Sequence, residues 1–229
     1  MNRDVFLRLL QLADSGFPTG AFSFSQGLEG LADAGLLRSE ADLTAVIRAQ
    51  VEESLAGVEL PALFHAHRAA VAGDVAALLA IDAYVSALKP VPALRAGSVK
   101  VGRRFVESAA PLLESPFLSA YRTAVLKGVA PGHHAVAFGA AMHGAGLGEA
   151  MAALAFGAGF VQGQTAAAVR LGLIGQAAAQ RIIGGLHDDV LAAVARAERM
   201  ALDDMGGYLP LVDIAGLRQA TLPSRLFAS

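Results

Sequence analysis

The sequence predicts an all-α protein, a single-domain helical bundle of roughly eight to ten helices with a mobile C-terminal tail. Three observations predict it. Apolar residues recur at the i, i+3, i+4 spacing through most of the chain. No segment alternates at period two with β-branched residues and a hairpin turn. The breaks between periodic runs fall on Gly, Pro and capping residues, the punctuation of helices. At 229 residues the chain can bury a sizeable core. It carries no Ser/Pro-rich linker, charge block or repeat, so residues 1–229 read as one domain.

The elements follow in order. Val5, Phe6, Leu9, Leu10 and Ala13 form the first stripe, and Leu28, Leu31, Ala32 and Gly35 resume it after a loop. Ser39 and Asp42 have the spacing of a helix cap, and Leu43, Ile47, Val51 and Leu55 continue beyond it. That helix should pass Gly57 and Pro61 with a kink. Asp74 caps a helix that stops before Pro90, and another runs from about Leu94 to Ala109 and ends at Pro111. Ser115-Pro116 starts the next helix and Gly128 closes it. "GHHAVAFGAAMHGAG" and Glu149 to Arg170 are further helices, and Ile174 to about Met200 reads as one long helix. "DMGGYLP" is a break before a short helix and the tail.

Composition narrows the function classes. The chain is 55% apolar and 17% charged, with 25 Gly and a mean hydropathy of +0.50. Abundant Ala and Gly predict a core of closely approaching backbones. A net charge of −2 argues against nucleic acid or anionic membrane as partner. The absence of Cys excludes disulfides, thiolate metal sites and a cysteine nucleophile. The N-terminus does not read as a signal peptide, which leads to the expectation of a cytoplasmic protein. Ala150 to Val169 is uncharged and long enough to span a bilayer. It holds Gln162, Gln164 and three glycines without flanking Trp or Tyr, and reads better as a central helix buried all round. A membrane-associated helical protein is the alternative.

Catalytic motifs are missing. There is no G-x-S-x-G elbow and no Walker phosphate loop, and "GAGLGEA" from Gly144 follows no strand. His65 and His67 are two apart and face different directions on a helix. His133, His134 and His143 lack H-E-x-x-H spacing. Structural, hydrogen-bonded histidines are the plainer reading, although half of a metal site shared with a partner would follow no spacing rule. Lys89, Arg95, Lys100, Arg103 and Arg104 form the one basic concentration. Lys100, Arg103 and Arg104 could share a face, either solvated or docked to an acidic protein surface.

The stretch "SGFPTGAFSFSQGLEG" stands apart. Pro18 and Gly20 turn the chain, while Ser23 or Ser25 can cap the helix that carries Glu29. A carboxylate in that first turn is favoured by the helix dipole. Flanked by Gly27 and Gly30, it is open to another backbone and suits presentation to a partner better than burial. An acid/base pair of Glu29 with a histidine is the enzymatic alternative, and it needs a pocket that brings the two together.

"LLQLADSGFPTGAFSFSQGLE" closely resembles the N-terminal signature of the UreF family of urease accessory proteins. "LRAGSVKVGRRF", "GHHAVAFGAA", "RLGLIGQ" and "DIAGLRQATLPSRLF" resemble later family blocks in the right order, over nearly the whole chain. Phe24 departs from the His or Tyr usual at its position. The resemblance implies a non-enzymatic chaperone for nickel insertion that dimerises and bridges two partners. These are the urease-binding scaffold UreD (UreH) and the nickel-carrying GTPase UreG, whose GTP-dependent delivery to apo-urease it modulates. No cofactor is held permanently, and nickel passes through the assembled complex. Ser25, Gly27 and Glu29 are then the expected GTPase contacts. Leu222, Arg225, Leu226 and Phe227, in the tail 221–229, are the expected scaffold contacts.

Overall fold

The structure, a computed structural model, describes residues 2–219, 222 and 225–228. It is all-helical, as the periodicity predicts. Helix α1 spans Arg3–Ala13, a single 3-10 turn covers Ala21–Ser23, and α2 is Leu28–Asp33. Helix α3, Glu40–Ala49, starts at Ser39, whose hydroxyl accepts from Asp42 N at 3.1 Å. It continues through a π-helical stretch, Gln50–Glu59, into α4, Leu60–Ala72. Then come α5 (Val75–Leu88), α6 (Pro92–Leu113), α7 (Pro116–Leu126), α8 (His134–Gly144) and α9 (Glu149–Arg170). Helices α10 (Gln176–Gly185), α11 (His187–Ala197) and α12 (Pro210–Gln219) complete the order.

Three elements differ from expectation for identifiable reasons. The helix expected to end at Pro111 runs through it to Leu113. Proline's fixed φ is compatible with a last turn, and its side chain faces solvent there. The helix expected over Ile174 to Met200 breaks at Leu186, after the flexible pair Gly184-Gly185. This break adds to the helix count, which exceeds the expected eight to ten. The third difference is the kink expected at Gly57 and Pro61, which is replaced by the π-helical stretch. Residue 61 lacks an N–H to satisfy the Gly57 carbonyl, and Gly206 N donates to it instead, at 3.0 Å.

That contact is one of several where backbones meet without side chains between them. A Cβ on Gly57 would lie 2.0 Å from Gly206 O, and one on Gly139 would lie 2.4 Å from Leu63 O. The second contact lets α8 lie directly on α4, which also packs against α5, α9 and α11 and so forms the centre of the bundle. Around this pair sits an aromatic cluster of Phe17, Phe105, Phe138, Phe156 and His134, with ring centres 5.0–6.1 Å apart. Helix α9 is half-buried rather than buried all round: Ala158, Gly159, Gln162, Gly163 and Ala166 are exposed. Among the described residues no helix is long and apolar enough to cross a membrane, which removes the observation behind the membrane alternative.

A polar node ties α5 to α7 and to the start of α8. Fully buried Asp82 accepts from Tyr121 Oη at 2.9 Å, Gly132 N at 2.7 Å and His133 N at 2.8 Å. The His133 ring lies between Ser86 Oγ (2.8 Å) and Ser98 Oγ (3.0 Å). Burial depresses both His133 and His134 to about 4. Burial also raises Asp82, against the pull of its hydrogen bonds.

Two outcomes follow for stability. Gly139→Ala should cost about 1–3 kcal/mol through overpacking against α4, read as a lower urea midpoint with unchanged slope. The second concerns pH. The unfolded histidines take up protons near pH 6.5 and the folded ones only near 4. Between those values the unfolded state binds more protons, so stability falls as pH falls through this window. Asp82 has the opposite sign, because its raised value makes the folded state bind its proton first. With two histidines against one aspartate, the melting temperature should drop from pH 7 to pH 4.5, and His134→Phe should reduce the drop. Circular dichroism melts at three pH values measure both.

Candidate functional site

The opening loop turns as its glycines and proline require. Gly20 and Gly27 take left-handed conformations (φ 69° and 92°) and Gln26 joins them at 49°, a region that side-chain-bearing residues seldom adopt. Gln50 Nε2 from the π-helical stretch donates to Gln26 O at 3.0 Å and holds the strained residue in place. The turn swings α2 back so that Gly30 meets Ala215 O of α12, 2.3 Å from where a Cβ would stand. In this way α2 lies flat on α12, close to the last residues of the chain.

This packing decides the position of Glu29. The expectation of a carboxylate presented to a partner is corrected, because Glu29 is 7% exposed. A backbone does approach it between the glycines, and that backbone is the chain's own. Glu29 Oε1 accepts from Leu226 N at 2.5 Å. Oε2 accepts from Phe227 N at 3.3 Å and from Gln219 Nε2 at 2.6 Å. Ser25, fully buried, accepts from Glu29 N and Gln219 Nε2, both at 3.4 Å, so it steadies the carboxylate rather than facing solvent. Gly27 is buried too, against Val212 of α12. The donors to Glu29 are amides, and none of these contacts makes the acid/base pair with histidine.

The tail is therefore fastened at the described residues. Phe227 is buried under the guanidinium of Arg170, whose carbon lies 4.4 Å from the ring centre. The same guanidinium sits 5.9 Å from the Phe22 ring and donates to Phe22 O. Ala228 N donates to Ser23 O at 2.8 Å. Arg225 and Leu226 stay exposed and Leu222 is half-buried. Residues 221, 223, 224 and 229 of the expected 221–229 tail lie outside the described residues.

The basic residues divide. Lys100 is exposed, with its ammonium 5.9 Å from the Phe24 ring, which gives Phe24 a cation to cover in place of a polar role. Arg104 is exposed against Gly20. Arg103 does not share that face, because its guanidinium donates to Pro131 O (3.1 Å) and Val125 O (3.2 Å). Lys89 turns inward and pairs with Glu59. Burial raises Glu59, but the charge of Lys89 and its hydrogen bond outweigh this and leave the carboxylate below its ordinary value.

Beneath the opening loop lies a cleft of about 700 Å³. Phe24, Phe105, Phe138, Phe156 and Phe160 line it, with Glu59, Lys89, His134 and Gln50 as polar groups. Gln50 Oε1 is buried without a hydrogen-bond partner among the described residues. No three His, Asp or Glu side chains among the described residues converge as a metal cluster.

Sequence reasoning singled out Ser25 and Glu29 for one partner and Phe227 for another, and the structure brings the three together. It gave no role to Arg170 and Gln219, although both lie within the quoted blocks, nor to Gln50, which lies in none.

The site sits beside a chain with clear relatives. A family model described as UreF matches residues 37–187. A urease accessory protein UreF of Trichodesmium erythraeum is 32% identical over 97% of this chain and 96% of its own length. Another, from Arthrobacter sp. strain FB24, is 35% identical with the same coverage. One from Methylobacterium sp. strain 4-46 is 33% identical over 97% of this chain and 88% of its own. The opening loop and tail lie outside residues 37–187, but the alignments to whole relatives leave almost no part of the chain out.

Glu29→Gln tests the clasp, because it turns an acceptor oxygen into an amide donor facing backbone N–H groups. Amide exchange at Leu226 and Phe227 should speed up by about tenfold or more, while α4 and α8 stay protected. Hydrogen-exchange mass spectrometry reads both.

Proposed function

We propose that this chain, which belongs to the UreF family of urease accessory proteins, is a non-catalytic adaptor in urease maturation. In this reading it works in the cytoplasm as a homodimer and bridges the urease-binding scaffold UreD (UreH) and the GTPase UreG. It modulates the GTP-dependent insertion of nickel into apo-urease.

The observation that supports this best is the joining of the opening loop to the tail through Glu29 and Arg170. The joined segments leave apolar and basic groups exposed: Phe22 is 70% exposed and Leu226 53%, and Lys100, Arg104 and Arg225 are exposed as well. Large exposed apolar side chains rimmed by charge suit a protein partner. The scaffold takes the tail through Leu222, Arg225 and Leu226. The GTPase takes the loop side, where Ser25, Gly27 and Glu29 shape the surface from beneath. Phe227, buried under Arg170, seats the tail beneath that surface.

Nickel is cargo in this scheme. The cleft offers neutral imidazole from His134, carboxylate from Glu59 and the free Gln50 oxygen, donor types that suit a divalent ion.

Co-expression of the tagged chain with UreD (UreH) and UreG, followed by light scattering, tests the bridge. The expected product is a stable assembly with two copies of each chain. Deleting residues 222–229 should abolish scaffold capture with the helical signal intact, and Glu29→Ala should weaken it and lower urease activation. Failure of the intact chain to capture either partner would remove the bridging role. Unchanged capture by the truncated chain would remove the tail from the interface.

A further inference from the structure

A second polar feature lies at the centre of the bundle, away from the loop and tail. Gly139 of α8 rests on the Leu63 carbonyl of α4, and one turn further along both helices stand His143 and His67. The close approach brings their rings to 5.4 Å between centres, edge to face at 82°. His67 is 5% exposed. Its Nε2 lies 2.8 Å from Leu147 O, and since a carbonyl only accepts, Nε2 carries the proton. Nδ1 is then the ring's remaining ligand atom, and it is buried with no hydrogen-bond partner among the described residues.

We propose that His67 Nδ1 and His143 form a two-imidazole site for a borderline divalent transition cation of the Zn²⁺ or Ni²⁺ type. Three features of its construction argue for this. An orphaned imidazole nitrogen in a protein interior is costly unless something binds it. A ring whose far nitrogen donates to a backbone carbonyl is oriented as metal-bound histidines are, with its tautomer set and its basicity raised. Two imidazoles on one tetrahedral ion, with metal–nitrogen bonds of about 2.0–2.1 Å, have ring centres about 5 Å apart, close to the separation seen. His143 is partly exposed and gives the ion a way in. No third His, Asp or Glu among the described residues joins the pair, so water completes the coordination and the ion exchanges freely.

Calorimetric titration of the tag-free, chelator-treated full chain with Zn²⁺ alone tests the site, with Ni²⁺ alone as a second probe. The expected result is one ion per chain, with the His67 and His143 imidazole nitrogen signals shifting together in NMR. His143→Ala should weaken uptake by about tenfold or more with an unchanged helical signal, while His65→Ala, on the same helix but outside the pair, should leave it intact. No uptake by the intact chain, or uptake that His143→Ala does not alter, would overturn the proposal. So would a loss that His65→Ala shares equally.

Discussion

The arrangement of this molecule depends on helices that touch at backbone distance. Where Gly139 crosses the Leu63 carbonyl there is no side chain to hold α4 and α8 apart, and α5, α6, α7, α9 and α11 pack around that pair. The same device recurs where Gly30 meets α12 and where Gly57 meets Gly206. Close approach gains dispersion contacts over long lengths of chain. It also restricts substitution, since one added methyl group at such a contact has nowhere to go. A composition rich in Ala and Gly is the requirement of this packing rather than a sign of looseness.

The Gly30 contact has a consequence for function. It brings α2 so near the chain's end that one carboxylate can receive two tail amides and the Gln219 side chain. A carboxylate that accepts from several N–H donors makes strong hydrogen bonds, and Arg170 closes the arrangement by covering Phe227 and donating to Phe22 O. Loop and tail thereby become one surface, so in the proposed adaptor role a partner on the tail would act on the loop through a single buried group. Coupling between two binding partners of one adaptor needs a shared element of this kind.

Periodicity identified most helices, because i, i+3, i+4 spacing reflects which face must leave water. Ser39, Asp74 and Ser115 marked helix starts because capping is a local hydrogen bond. Pro111 and the Ile174–Met200 run misled for the complementary reason: whether a helix tolerates proline or breaks at a glycine pair depends on neighbours that local spacing does not contain. Glu29 was legible as unusual, from its glycine neighbours, but its burial was not, because the atoms that bury it are about 190 residues away in the chain. The pairing of His67 with His143 was hidden in the same way.

By itself the sequence determined the helical class, the turn between α1 and α2 and, through its first and last blocks, the family resemblance. These depend on hydrogen bonds and steric limits within a few residues of one another. The tertiary structure alone decided that Glu29 holds the tail, that Arg103 and Lys89 are spent inside while Lys100 and Arg104 face out, and that two distant histidines meet. Each of these depends on which helix faces come together, and that is set by the summed packing of the whole chain.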